Sequence, residues 1–381
     1  MSNETHHKTA KSNFEPLRAT RRTALRGAGL AGLLALGGGS ATASENTSEA
    51  NIHGAETEMS ADDEIVPVTW ENYCRAQTDT YFESYVELAG LGEFYHYREP
   101  VPIDEQVVQF ENRDVLPSIG IFDLTDPVTI TKPDTGNRYQ SMHVLNQDQY
   151  TKAVINDPGE YTLTRAEMGT RYVQVRFRTF VDPTDPVDIR DARRVQDPIA
   201  ARQDSTGTFE VPTWDPESLA LVREALLTLA TQYTLTEGQA LVHAFGDVEE
   251  VDPVEFLLGC AGWGALPASE NYFYWTVPEQ NDGETPQEMV LEDVPVDGFW
   301  SVSVYNGEGY FEANEYDAYS INSENAERDD DGSVTIRFGG DPDRPNFLYT
   351  PEDWSYGLRL YEPRNEVLSG FYQLPEPQPI E

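Results

Sequence analysis

Basic charge is what this 381-residue sequence has least of. Lysine stands only at Lys8, Lys11, Lys132 and Lys152, and 67 acidic residues face 26 basic ones, a formal charge of -41. Such a chain repels phosphate, which excludes nucleic acid as a partner and disfavours anionic membranes. Cysteine is nearly missing: Cys74 and Cys260 stand far apart, with no CxxC. Each reads as a small buried hydrophobe, or the two form one long-range disulfide; the count alone leaves both readings open. Histidine forms no HxH, HxxxH or HExxH pattern, and no Gly-x-Ser-x-Gly elbow or phosphate loop is present. No metal and no cofactor are therefore expected.

What is present argues for a folded protein. Aromatics make up 11 % of the chain and the acids are spread along it, unlike the like-charge blocks of disordered sequence. An acidic surface suits concentrated salt, which screens self-repulsion, so a halophilic source is expected. The length accommodates two domains with cores of their own.

Residues 1–44 read as an export leader. Arg21-Arg22 precedes a short apolar run from Ala28 to Leu36, and Ala41-Thr42-Ala43 supplies small residues for cleavage. This resembles a twin-arginine signal, with an extracellular or cell-surface destination. The run is too short to span a membrane, and no later stretch approaches that length. Residues 45–64, which include His53, read as a flexible linker.

A first β domain is expected over 65–205. It opens with a helix from Trp70 to Leu91, in which Tyr73, Cys74, Gln77, Tyr81 and Tyr85 recur near helical spacing and read as core. Strands follow around the segment 112–144. Further on, RYVQVRFRTFV alternates: Tyr172, Gln174, Arg176, Arg178 and Phe180 share one face, and Val173, Val175 and Phe177 the other. The plainer reading pairs these arginines with surface acids; the sharper one is a sheet face that contacts an anion. Asp185-Pro186 opens a short helix.

Residues 206–268 read as a helical connector. Asp215 caps a helix with Pro216 at its first position, a second helix is expected over Glu237–Ala244, and a third starts at Asp252-Pro253. His243 falls in the second and reads as a core histidine. A second β domain is expected over 269–381. There Phe299, Ser301, Ser303 and Tyr305 face one side, and Trp300, Val302 and Val304 the other; Asn306-Gly307 and Asp331-Gly332 mark hairpin turns.

Two resemblances cover nearly all of the chain after the leader. AQTDTYFESYVELAGLGEFYHYREPVPIDEQVVQFENRDVL, RYQSMHVLNQDQY and RFRTFVDPTDPVDIRDARRVQDPI resemble the N-terminal module called domain of unknown function 1254. That family usually reads Asn-Arg-Asp-Thr-Leu-Tyr-Ser where this chain has Asn112, Arg113, Asp114, Val115, Leu116, Pro117 and Ser118. Phe299-Trp300-Ser301, Tyr305, Tyr319 to Ile321, Asp331 to Ser333 and Leu358 to Tyr361 resemble the C-terminal module called domain of unknown function 1214. The arginine usual before its Tyr-Ser pair is Ala318 here. The resemblance implies a mainly β fold of two β-sandwich or jelly-roll-like domains joined by the helical connector.

For chemistry, the candidate constellation is His96, Arg98, Asn112, Arg113 and Asp114. Asp114, His96 or His143 is the candidate base, and Arg98, Asn112 and Arg113 are the candidate ligand-binding groups. An Arg-Asp pair that merely locks a corner between strands explains the tripeptide equally well. The expected role is binding of a small extracellular molecule, a carbohydrate or an organic anion. The alternatives are a hydrolase built on His96 and Asp114 and a cell-surface structural protein; homo-oligomerisation is left open.

Overall fold

The computed structural model describes residues 65–106, 109–237 and 241–380. The leader, most of the linker and His53 lie outside them. The helices are α1 (Tyr73–Ala89), α2 (Arg165–Met168), α3 (Pro186–Gln196), α4 (Pro216–Glu237), α5 (Pro253–Gly259) and α6 (Asn365–Leu368). The first-domain strands are β1 (Phe94–His96), β2 (Val115–Asp123), β3 (Val128–Lys132), β4 (Gln140–Asn146), β5 (Thr151–Ile155), β6 (Gly159–Leu163), β7 (Tyr172–Phe180) and β8 (Ala200–Gln203). The second domain adds β9 (Asn271–Thr276), β10 (Gln287–Leu291), β11 (Trp300–Tyr305), β12 (Ser320–Asn322), β13 (Val334–Phe338), β14 (Phe347–Leu348), β15 (Ser355–Tyr361) and β16 (Gln378–Pro379).

The protein is mainly β, with two sandwich domains. In the first, a sheet ordered β1-β2-β7-β4-β5 packs on a sheet ordered β6-β3-β8. Val173, Val175 and Phe177 of β7 point into that sandwich beside Phe122, Val144 and Ile130. Strict period-two alternation then sends Gln174, Arg176 and Arg178 out of the opposite face. In the second domain, a sheet ordered β14-β13-β10-β16 packs on one ordered β12-β11-β15-β9. Trp300, Val302, Val304, Leu358 and Leu360 fill its core. The same alternation turns Ser301, Ser303, Tyr305, Arg359 and Tyr361 away from it. All strand pairs are antiparallel except β13 with β14.

Those two polar faces meet where the domains join. Tyr305 Oη donates to Glu111 O at 2.8 Å, and Arg359 Nη2 donates to Phe110 O at 2.7 Å. Phe180, Phe299, Leu266 and Tyr361 form an apolar seam beside them.

The helical block packs around its own core of Tyr73, Leu226, Ala230 and Phe256, and meets the first domain where Phe256 stacks on Tyr150 at 4.4 Å. It is also cross-linked: Cys74 of α1 and Cys260, just past α5, form a disulfide with Cα atoms 5.4 Å apart. That settles the reading left open above, since neither thiol is a free buried hydrophobe. The helix expected over 237–244 differs too. Residues 238–240 lie outside the described residues, and 241–244 form turns in which Leu241 and Ala244 are buried while His243 is exposed. The apolar spacing there serves a packed turn. Among the described residues no helix is long and apolar enough to cross a membrane.

Candidate functional site

A cavity of about 800 Å³ lies between the two domains. Its polar lining includes three arginines, Arg176 and Arg178 of β7 and Arg359 of β15, beside His96, Asn112 and the acidic residues Glu99, Glu105 and Glu111. None of them has a carboxylate oxygen within ion-pair distance among the described residues, although 67 acids are available to the chain. Arg171, at the start of the same strand, does have partners: it ion-pairs with Asp123 and Glu210. The sequence reading of surface ion pairs therefore holds for Arg171 and fails for the two arginines that follow it.

Each guanidinium is held by neutral groups. Gly264 O accepts from Arg178 Nη2 at 2.5 Å and from Arg176 Nη1 at 3.4 Å. Arg176 Nη2 donates to Tyr85 Oη at 3.1 Å. Gly264 adopts φ +64°, a backbone conformation that favours glycine, and a Cβ there would lie 2.6 Å from Arg176 Nη1 and push the guanidinium aside. Arg359 lies over the Phe273 ring at 4.4 Å and donates to Tyr305 Oη at 2.8 Å. Burial and then the neighbouring Arg176 charge bring the pKa of Arg178 down to about 10. Two guanidiniums crowded in a dry site repel each other, and an anion relieves the repulsion.

The expected site residues divide among four places. His96, Arg98 and Asn112 line the cavity. His96 Nδ1 is 2.8 Å from Ser118 Oγ, and burial together with Arg98 lowers its pKa, favouring neutral imidazole. Arg98 is turned outward to Asp197 Oδ1 at 2.7 Å and Arg193 O at 3.0 Å. Asn112 Nδ2 donates to Tyr361 Oη at 2.7 Å. Arg113 leaves the cavity: it donates to Val101 O and lies over the Tyr319 ring at 5.4 Å.

Asp114 is fully buried in the domain junction, where Oδ1 accepts from Asn322 Nδ2 at 3.0 Å and Ser320 Oγ at 3.4 Å. It makes no hydrogen bond with His96, so the pair is not assembled as acid and base. His143 sits behind Arg178. Arg178 Nη1 can only donate, so His143 Nδ1 accepts at 3.2 Å and Nε2–H donates to Thr151 Oγ1 at 2.9 Å. Burial and both arginines keep this imidazole neutral.

The residues that sequence reasoning missed are Arg359, Tyr361, Tyr85, Trp263 and Gly264. Arg359 had a signal, as the one charged residue in Ser355–Tyr361. The aromatic stripe of α1 divides: Tyr73 is core, while Tyr81 and Tyr85 line the cavity.

Asp114 carries a pH dependence. Burial raises its carboxyl pKa against the pull of Asn322, Ser301 and Arg359, and burial raises that of Asp79 as well. A raised folded pKa contributes stability that is full below the unfolded value near 3.8 and lost as pH rises through the folded value. For Asp123, burial pushes upward but Arg171 and Thr125 outweigh it, so its contribution is present above that value and lost on further acidification. Asp114→Asn is expected to exceed wild type in melting temperature most at pH 7, with the gap closing towards pH 4. Paired thermal melts across that range check it, and a gap that does not change with pH contradicts it.

Comparison with known proteins adds the following. A family profile described as "Protein of unknown function (DUF1254)" matches residues 91–203, and one described as "Protein of unknown function (DUF1214)" matches residues 278–365. Among solved structures, the VPA0106 protein from Vibrio parahaemolyticus is similar, with a TM-score of 0.58 and 17 % identity over 81 % of this chain and 98 % of that one. An uncharacterised protein from Burkholderia cenocepacia follows at a TM-score of 0.45 and 15 % identity, over 81 % of this chain and 87 % of that one. At 17 % identity the likeness to the Vibrio parahaemolyticus protein is one of fold. No curated protein sequence matches the chain.

Proposed function

We propose that this chain, which belongs to the proteins with a DUF1254 module followed by a DUF1214 module, binds a small organic anion in the cavity between them. The observation that carries the reading is the pair Arg176 and Arg178, two guanidiniums in one cavity with no carboxylate within ion-pair distance among the described residues, joined there by Arg359, whose charge buried Asp114 partly offsets. Keeping such charges out of water costs stability unless something else compensates. Arg176 Nε and Trp263 Nε1, on two residues that line the cavity, are buried donors with no acceptor. A carboxylate, which only accepts, suits guanidiniums, which only donate.

The leader-like segment and the acidity of the chain extend the proposal to an exported protein that works in concentrated salt, where the ligand is captured outside the cell. Binding is favoured over hydrolysis because His96 and Asp114 are not paired. The test is a thermal-shift screen in molar KCl with carboxylic acids beside their neutral amides. Acids are expected to raise the melting temperature where the matching amides do not. Equal shifts from acid and amide, or none from any acid, would remove the anion from the account.

A further inference from the structure

We infer that the anion is amphipathic, a monocarboxylate with an apolar aryl or alkyl body. This rests on the anion-binding reading and adds what the rest of the cavity selects. Around the arginines the lining is apolar: Ile119 of β2 is the cross-strand neighbour of Arg176, and Val115 of β2, Leu241 and Phe245 from the turn after α4, and Leu266 from the loop after Gly264 line the same cavity. Tyr81 and Trp263 stack on each other at 4.4 Å and add a flat apolar wall. A ligand that is polar throughout would leave these surfaces wet and strip its own hydroxyls of water without return.

The rim argues against a second negative charge. Exposed Glu105 lines it, Glu99 there is ion-paired with Arg193, and Arg98 is taken by Asp197. Tyr95 and Tyr97 at the same rim are 37 % and 39 % exposed, with rings in edge contact at 5.0 Å, which presents aromatic surface to an entering apolar body. The cavity, about 800 Å³, exceeds what a carboxylate head needs alone.

The experiment is calorimetric titration of the full chain with acetate, butanoate, hexanoate and octanoate, with gluconate and 1-octanol as controls, repeated on Arg178→Met. Affinity is expected to rise about fourfold for each added methylene, the increment for burying one CH₂ of about 0.8 kcal/mol. Gluconate and octanol are expected to bind more weakly than octanoate, and Arg178→Met to lose the octanoate signal. If acetate and gluconate bind as tightly as octanoate and still need Arg178, the apolar body is refuted while the anion site stands. If octanoate binds Arg178→Met as it binds wild type, or octanol equals octanoate, the anion site itself falls and takes this inference with it.

Discussion

Replacing Arg178 by methionine is expected to weaken carboxylate binding by at least ~30-fold, because truncating one member of a buried, hydrogen-bonded charge pair costs about 2–5 kcal/mol. The stability of the ligand-free protein is expected to change far less. Arg178 is 9 % exposed and has no carboxylate partner, so removing it also removes a desolvated charge. Against that gain stand His143 Nδ1, left without a donor, and Gly264 O, left with only the longer bond from Arg176 Nη1. The effects oppose each other in the free protein and do not in the complex. Titration and denaturant melts on the same samples separate them. A variant that loses binding only in proportion to lost stability would mark Arg178 as a structural residue.

Breaking the Cys74–Cys260 bond is expected to be the most destabilising single change in the chain. The cysteines are 186 residues apart, and the bond ties α1 to the far end of the helical block. Loop-closure entropy for so long a separation is about 5 kcal/mol, and measured native disulfides typically contribute about 2–4 kcal/mol. Cys74→Ser or full reduction is therefore expected to lower the melting temperature by roughly 3–6 °C. The position matters for the site as well. The loop 261–266, which carries Trp263 and Gly264 over the arginines, follows directly on Cys260, so the reduced protein is expected to lose affinity along with stability. Thiol alkylation and mass spectrometry of the unfolded, unreduced protein should find no free thiol. Two alkylated cysteines at full melting temperature would contradict the assignment.

The local parts of the site were legible in the sequence and their assembly was not. Alternation along β7 marks Arg176 and Arg178 as one face and Val173, Val175 and Phe177 as the other, because side-chain direction in a strand depends only on parity. The same rule separates Ser301, Ser303 and Tyr305 from Trp300, Val302 and Val304. Parity does not say what a face meets. Arg359 reaches the cavity from 181 positions beyond Arg178, through a domain packing that no local period encodes. Gly264 joins the two β7 arginines with one carbonyl, a role that a glycine among Trp263, Ala265 and Leu266 does not announce.

The tripeptide Asn112-Arg113-Asp114 is a dense polar element, and each member has a different use. Asn112 Oδ1 accepts from the Asp114 amide at 2.9 Å, which forms the turn, and its amide reaches Tyr361. Arg113 props the 101 segment. Asp114 crosses to β12 and ties the second domain to the first. Composition identified the groups; only the fold separates a residue that lines the cavity from one that holds its walls together.

The most direct test is anomalous diffraction from crystals soaked in 4-bromobenzoate at high salt. The account expects a bromine peak in the cavity between the domains, on the apolar side near Leu241 and Phe245. The carboxylate is expected within hydrogen-bond distance of Arg176 or Arg178. Bromine peaks only elsewhere on the protein, with the arginine cavity holding no carboxylate, would contradict it.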